Sequence, residues 1–448
     1  MEVHVVSKED NSRHRVIPFS SLGVSSLNQL TNLTSRVRVR PVVISLTSNN
    51  LSYARGGTAL RWWDAYPIPS TAPIDSASWG IVPAWGFAVV IESATPGLAP
   101  GTLLWGFWPT ADVPVDLKLE PGPLDGHWTE VSEPRKVLMT IYNNYEVQPL
   151  ITSSVKNPSD LTNLAWQALF RPVWQTGYLL NEYVFSRKTT TSQLHSQMEP
   201  IHPLGINVSW SQEDADLSGA LLISLSASGK TARIFAYQVF KRLEGSRPVK
   251  FVQITQAPDL IDSVGSKMGS GLPSDAISYG DLQQALSDGK KVPSWLPTNT
   301  PKKVVILDFG GRDSSLECLL QVVSKYYPQE SPNLMILQVG SQQKIYKSGE
   351  LQKSGEEFTR LGKIQVNTSG IRDAALRAIG SKAYFESLAP VWDSWLDSSH
   401  SIMPDIRMVW GDGVSGETGI EQGWTRLSRG EVGAQEGLVY RLGTASEK

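Results

Sequence analysis

The sequence is poor in cysteine, in histidine, in net charge and in long apolar runs. Cys318 is the one cysteine in 448 residues. A lone thiol excludes an intramolecular disulfide and any zinc site built from several cysteines. The 6 histidines, among them His127, His195 and His202, show no spacing typical of a metal site or a catalytic triad. The formal net charge is −2, so the balance points to neither nucleic acid nor a membrane surface. No apolar run approaches the roughly 20 residues of a membrane span. Residues 1–11 are polar and lack the apolar core of a secretory signal. The compartment expected is the cytoplasm. There is no internal repeat and no low-complexity tract.

What is present is globular. Hydrophobic residues make up 40% and charged residues 19%, a balance that supports a packed core, and the length calls for two or more domains. Tryptophan is abundant, at 15 residues, several of them between 62 and 128. Such rings either line an apolar cleft or serve as packing, and both readings stay open. Arg36, Arg38 and Arg40 alternate with apolar residues. That period predicts a strand with a solvated basic face in preference to a polyanion site.

Residues 1–155 are β-rich by pattern. Residues 37–46 alternate and then run apolar, as a strand entering a core. Residues 48–53 read as a polar turn. Residues 85–92 and 103–108 read as strands, and Gly106 marks a bend or a close backbone approach. Short strands punctuated by Gly and Pro argue for a small barrel. From residue 159 the period becomes helical, with Leu161, Leu164, Ala165, Ala168 and Leu169 on one face; Pro172 is expected to start a second helix. Beyond residue 220, buried strands alternate with helices. Strands are expected at 220–223, 250–255, 275–279, 303–311 and 334–340, as in a doubly wound parallel sheet. Residues 341–362 carry a weak pattern, 371–396 read as helical, and a short helix and a final strand close the chain.

The stretch 220–243 organises this second half. An apolar strand runs into a turn of small polar residues and then a helix with Phe235, Val239 and Leu243 on one face. A strand, tight turn and helix can hold phosphate, because free N–H groups and the helix dipole face an anion. Gly229, Lys230 and Thr231 match the end of a P-loop, but Ser224 stands where its first glycine belongs. In the register of a dinucleotide fingerprint, Ala227, Gly229 and Ala232 take the small-residue places. Ala227 is the harder departure, since its Cβ resists a positive φ. The alternative is a strand-turn-helix unit that binds nothing.

The order of barrel, nucleotide-type sheet and returning C-terminal strand resembles the medium-chain dehydrogenase/reductase superfamily, on its quinone-oxidoreductase side. Residues 48–54, 141–145 and 226–232 are similar to an offshoot of it catalogued as a domain of unknown function. The resemblance implies an α/β fold: a GroES-like β-barrel domain at 1–165, a Rossmann-type doubly wound parallel sheet at 166–345, and a C-terminal segment, 346–448, returning to the first domain. Zinc-dependent relatives hold the metal with cysteine and histidine, and the barrel region here has no cysteine, so no catalytic zinc is expected.

The resemblance implies NADP(H) as cofactor, with Ser226, Ser228, Gly229, Lys230 and Thr231 at the pyrophosphate, Thr255 and Tyr279 near the adenosine, and Thr176 and Gly340 near the nicotinamide. No carboxylate follows the second strand at Thr255 and Gln256, where NAD users commonly bind the ribose. Asn49, Asn50, Tyr53, Tyr142 and Tyr145 fall at the barrel mouth as candidate catalytic groups, or as satisfied rim and core residues. Asp308 is more in keeping with a structural role. The partner expected is a small-molecule substrate, with no nucleic acid and no membrane, for a monomer or homodimer. The function expected is a zinc-free reductase of an apolar enone or carbonyl compound. The alternatives are a cofactor-independent lyase, isomerase or hydrolase with a degenerate nucleotide site, and a non-enzymatic binding protein.

Overall fold

A computed structural model describes residues 1–18, 35–68, 72–148, 158–185, 198–288, 292–312, 314–328 and 332–443. Its strands are β1 (Glu2–Ser7), β2 (His14–Pro18), β3 (Arg36–Leu46), β4 (Trp79–Gly80), β5 (Pro83–Ser93), β6 (Leu103–Pro109), β7 (Val115–Pro121), β8 (His127–Glu130) and β9 (Asn144–Val147) in the first part. Then come β10 (Ala220–Leu225), β11 (Lys250–Thr255), β12 (Ser274–Ser278), β13 (Lys303–Asp308), β14 (Asn333–Gln338), β15 (Ile364–Gln365), β16 (Arg407–Asp412) and β17 (Glu436–Arg441).

β3 is buried along most of its length and β5 along its first six residues, on both faces. The order β3-β5-β6-β9-β8-β7 closes on itself because β7 also pairs with β3, which leaves no free edge in the ring. The first half of β3 pairs with β7, and its last residues, from Val43 to Leu46, pair with β17. The register of β3 against β5 slips between Pro41 and Val43. Pro41 has no N–H to give the ladder, so the bulge falls where the strand changes partners. The close approach read at Gly106 is real: a Cβ there would lie 2.3 Å from the Tyr145 ring.

The second sheet is parallel throughout, in the order β12-β11-β10-β13-β14-β15. β10 and β13 are wholly buried. Leu222 and Val305 face one apolar cluster while Leu221, Ile223 and Val304 face another, so helices cover both sides. This is the α/β fold expected: a GroES-like barrel beside a doubly wound, Rossmann-type sheet. The helix Pro158–Leu179 crosses residue 165, and β15 lies beyond residue 345. β16 and β17 bring the chain back to the barrel sheet.

Several local expectations change. One helix, Pro158–Leu179, runs straight through Pro172. A proline there frees the carbonyl of Ala168, and the Ser45 hydroxyl donates to that carbonyl at 2.7 Å. Residues read as a polar turn form the helix Ser48–Arg55. Thr47 caps it through the N–H of Asn49, and the Asn50 side chain accepts from the N–H of Thr47 at 2.7 Å. Ser and Asn favour turns and helix caps for the same reason, so their presence alone does not separate the two. Ser348–Arg360 is also helical. Arg38 is buried rather than solvated, its guanidinium on Asp116 at 2.7 Å. The helix after β10 ends at Phe240, leaving Leu243 exposed.

Candidate functional site

A cleft of about 510 Å³ separates the barrel mouth from the carboxyl ends of the parallel strands. On the barrel side stand Asn49, Tyr53 and Arg55 of the helix Ser48–Arg55, with Trp62, Trp85 and Tyr142. Opposite them are Thr231, Phe309, Gly340 and Ser341. The helix Pro158–Leu179 contributes Pro172, Val173 and Thr176, and the Thr176 hydroxyl lies 3.0 Å from that of Thr368. Both readings of the tryptophans hold, each for different rings: Trp62 and Trp85 line the cleft, while Trp105 stacks beneath Trp85 at 4.8 Å and Trp108 is wholly buried.

The barrel end is a floor of rings. Tyr53 packs edge-on to Trp62 at 4.8 Å and to Phe107 at 5.2 Å; Tyr142 lies 4.8 Å from Phe107. The Tyr53 hydroxyl accepts from Trp85 Nε1 at 2.9 Å. Burial pushes its pKa up to about 12, and burial with the neighbouring Tyr53 raises that of Tyr142 well above the usual phenol range. Both phenols therefore stay protonated near neutral pH and act as hydrogen-bond donors, not bases. Among the described residues no Cys, His, Asp or Glu lines this cleft, and Arg55 is its one charged group.

Two barrel-mouth candidates stand elsewhere. Tyr145 faces the barrel interior, fully buried, where its hydroxyl accepts from Arg135 Nη2 at 2.7 Å and donates to the Phe107 carbonyl at 3.1 Å. A strand alternates its side chains between faces, so Tyr145 turns into the barrel core while Tyr142, in the short helical turn before it, turns out. Asn50 is spent on the cap and on the Pro83 carbonyl, to which its amide donates at 2.8 Å. Asn49 lies in the cleft wall, and its amide makes no hydrogen bond among the described residues.

At the sheet end, strand order reverses between β10 and β13, where open α/β sheets bind ligands beyond their carboxyl ends. The left-handed residue of the turn is Ser226, at φ 67°, and not Ala227. Ala227 is instead buried, its N–H on the Ile254 carbonyl at 2.9 Å. Gly229 is the N-cap of the helix Lys230–Phe240, and no side chain caps it. The helix Tyr279–Ser287, by contrast, is closed by a reciprocal Ser278–Asp281 pair. Open first-turn N–H groups suit an anion. A Cβ on Gly229 would press on the Ser226 carbonyl, at 3.3 Å, and on no other atom within 4 Å.

Lys230 departs from expectation. Its ammonium donates to the carbonyls of Glu436 at 2.7 Å and Ala434 at 3.2 Å, tying the turn to the returning segment instead of reaching into the crevice. Burial, with Arg233 nearby, lowers its pKa to about 8. Thr255 is buried and accepts from the N–H of Ala257 at 3.2 Å. Tyr279 interacts with Ser226, and burial raises its pKa. Asp308 accepts from the N–H groups of Gly310 and Gly311 at 3.0 and 2.7 Å, a structural role. Ser228 lies in the turn, partly exposed.

Arg55, Trp62, Trp85 and Ser341 were not singled out as site residues from the sequence. Once 48–55 is a helix, Ser48, Ser52 and Arg55 share one face, a signal hidden while the segment reads as a turn. Among the described residues no three His, Cys, Asp or Glu side chains are grouped to hold a metal. His195 lies outside the described residues. No described helix is long and apolar enough to cross a membrane.

Residues 44–433 match the family described as "Protein of unknown function (DUF2855)". The chain belongs to this family. The DUF2855 match takes in most of the barrel, the whole parallel sheet and the cleft between them. No curated protein matches the sequence. Among solved structures, CurA from Vibrio vulnificus in complex with NADPH is 10% identical, with 99% of this chain and 100% of that chain covered at a TM-score of 0.47. The mitochondrial 2-enoyl thioester reductase Etr1p/Etr2p heterodimer from Candida tropicalis is 10% identical, covering 98% and 99%, TM-score 0.43. Haloferax mediterranei glucose dehydrogenase in complex with NADP, Zn and gluconolactone is 11% identical, covering 99% and 100%, TM-score 0.41. Likeness this distant says nothing of what the DUF2855 chain does.

Proposed function

We propose that this protein is a zinc-free, NADP(H)-dependent reductase of a small, largely apolar enone or carbonyl compound. One observation carries the reading: a single cleft reaches from Thr231, in the first turn of the uncapped helix, to a floor of aromatic rings with protonated phenols. The dinucleotide fits the sheet end. The N–H groups after Gly229 and the hydroxyls of Ser226, Ser228 and Thr231 meet its pyrophosphate, and Thr255 and Tyr279 flank the adenosine. Thr176 and Gly340 border the nicotinamide. When bound, the cofactor supplies the hydride.

The chain's own residues do the rest. Trp62 and Trp85, backed by the buried ring of Phe107, take up the apolar body of the substrate and exclude water. Tyr142 donates a hydrogen bond to the substrate oxygen as it gains negative charge, and Tyr53, aligned by Trp85, holds Tyr142 in place. With no carboxylate or imidazole on the cleft wall among the described residues, the chemistry asks for oxyanion stabilisation rather than a strong base. The absence of a carboxylate after β11 favours NADP(H) over NAD(H).

The engagement of Lys230 with the carbonyls of Ala434 and Glu436 favours a second reading. There the nucleotide turn is vestigial and the same cleft serves a cofactor-independent lyase, isomerase or hydrolase. Isothermal titration with NADPH and NADH separates the two. Saturable NADPH binding, tighter than NADH, is expected; no saturation at millimolar NADPH would replace the reductase by the cofactor-independent enzyme.

A further inference from the structure

Arg55 is a cation whose only company in the cleft is neutral. Its Nη2 donates to the hydroxyls of Ser341 at 3.0 Å and Ser52 at 3.4 Å, and its guanidinium stacks over Tyr346 at 4.8 Å. Nη1 and Nε make no hydrogen bond among the described residues. Arg38, Arg171 and Arg233 each meet a carboxylate. Arg135 has none bonded to it, but it spends its donors on Tyr142, Asn143 and Tyr145. Arg55 faces the large cleft with no carboxylate on its wall among the described residues. The last turn of the helix Ser48–Arg55 favours a cation there, yet withdrawing an unpaired charge from water is costly. Burial accordingly disfavours its charged form. A ligand anion would supply the missing partner, and a guanidinium matches a carboxylate two bonds at a time.

We propose that Arg55 receives the carboxylate of an otherwise apolar, aromatic or unsaturated substrate, whose body lies on the ring floor. The proposal deepens the reductase reading, resting on it for the reaction but not for the binding. The cofactor's phosphates are the other source of negative charge, and the geometry disfavours them. The uncapped turn follows β10, whereas Ser341 follows β14, with β13 between them. Two strand spacings, roughly 10 Å, part the two positions.

Trp62 and Trp85 make the cleft its own reporter. Quenching of tryptophan fluorescence in the full chain is measured with trans-cinnamate, with neutral cinnamamide and, in a third arm, with NADPH. Wild-type protein is expected to bind cinnamate about ten-fold or more tighter than cinnamamide. Arg55→Gln should remove that preference, leave cinnamamide unchanged, and leave NADPH within about two-fold. Arg55→Lys, which keeps the charge but not the fork, should retain part of it. Equal binding of cinnamate and cinnamamide by the wild type, or no binding of either, overturns the proposal without recourse to a variant. So does an Arg55→Gln protein that loses NADPH instead of cinnamate. A wild type that prefers cinnamate but never binds NADPH supports the role of Arg55 and sinks the reductase reading.

Discussion

The two ends of the cleft are built from different materials. The barrel end presents large side chains: Tyr53, Trp62, Trp85 and Tyr142 in mutual ring contact. The sheet end presents backbone, in the form of a left-handed Ser226, an uncapped Gly229 and Gly340 pressed against Phe309, whose carbonyl lies 2.8 Å from where a Cβ would stand. A backbone site binds what many proteins bind and tolerates changes of side chain. A side-chain site carries selectivity, so single substitutions should act on turnover at one end and on cofactor affinity at the other.

The sharpest break of that contrast is a pair of changes at neighbouring tyrosines. Tyr142→Phe is expected to lower turnover by about 100-fold, the usual cost of one oxyanion donor, with little effect on melting temperature. Tyr145→Phe should do the reverse. It strands a buried Arg135 donor and lowers stability by about 1–3 kcal/mol, while steady-state rates hold. Equal loss of activity in both variants would mean that the cleft face of this segment is not special.

At the sheet end, Gly229→Ala tests backbone approach. Its φ of −62° suits alanine, and its Cβ would press only on the Ser226 carbonyl, at 3.3 Å, so unfolding in urea should shift by about 1 kcal/mol or less. If the turn holds the pyrophosphate as proposed, the methyl would crowd it, and NADPH should weaken by about ten-fold in calorimetry. A variant that binds NADPH like the wild type would remove the turn from the site.

Lys230 gives the smallest effect. Lys230→Met is expected to leave NADPH affinity within about three-fold, because the ammonium is turned to the returning segment. Its signature is in pH. The folded-state pKa of about 8 lies below the ordinary 10.5, so between those values the unfolded chain holds a proton that the folded chain has released. Stability from this group therefore rises with pH across that window. The difference in unfolding free energy between wild type and variant should change accordingly from pH 8 to pH 10, in favour of the wild type. A flat difference would place the ammonium in open solvent.

The strands β3, β5, β6, β10, β11, β13 and β14 were legible in the chain, as were the Gly229 turn and the helix after it. Asn49, Tyr53, Tyr142, Thr176, Thr231 and Gly340 are site candidates on sequence grounds, and the structure brings them to the cleft. Asn50 and Tyr145, named with them, it takes away. Nothing in a run of Tyr, Asn, Asn and Tyr says which ring turns outward; the change from helical turn to β9 between them decides that. The aromatic floor was foreseen only as one of two uses for tryptophan.

Local pattern was enough for the two sheets and their order of use, because a period of two or a run of buried β-branched residues is a property of neighbours in the chain. The rest waited on contacts far apart in sequence. Pro172 does not break its helix because Ser45, 123 residues from Ala168, satisfies the carbonyl that proline abandons. Lys230 misses the crevice because Glu436, 206 residues on, offers it a carbonyl. Arg55 joins the cleft because Ser341, 286 residues away, meets it across the gap. Each choice sets one hydrogen bond against another, and which partner is within reach is a matter of the closed fold, not of the residues on either side.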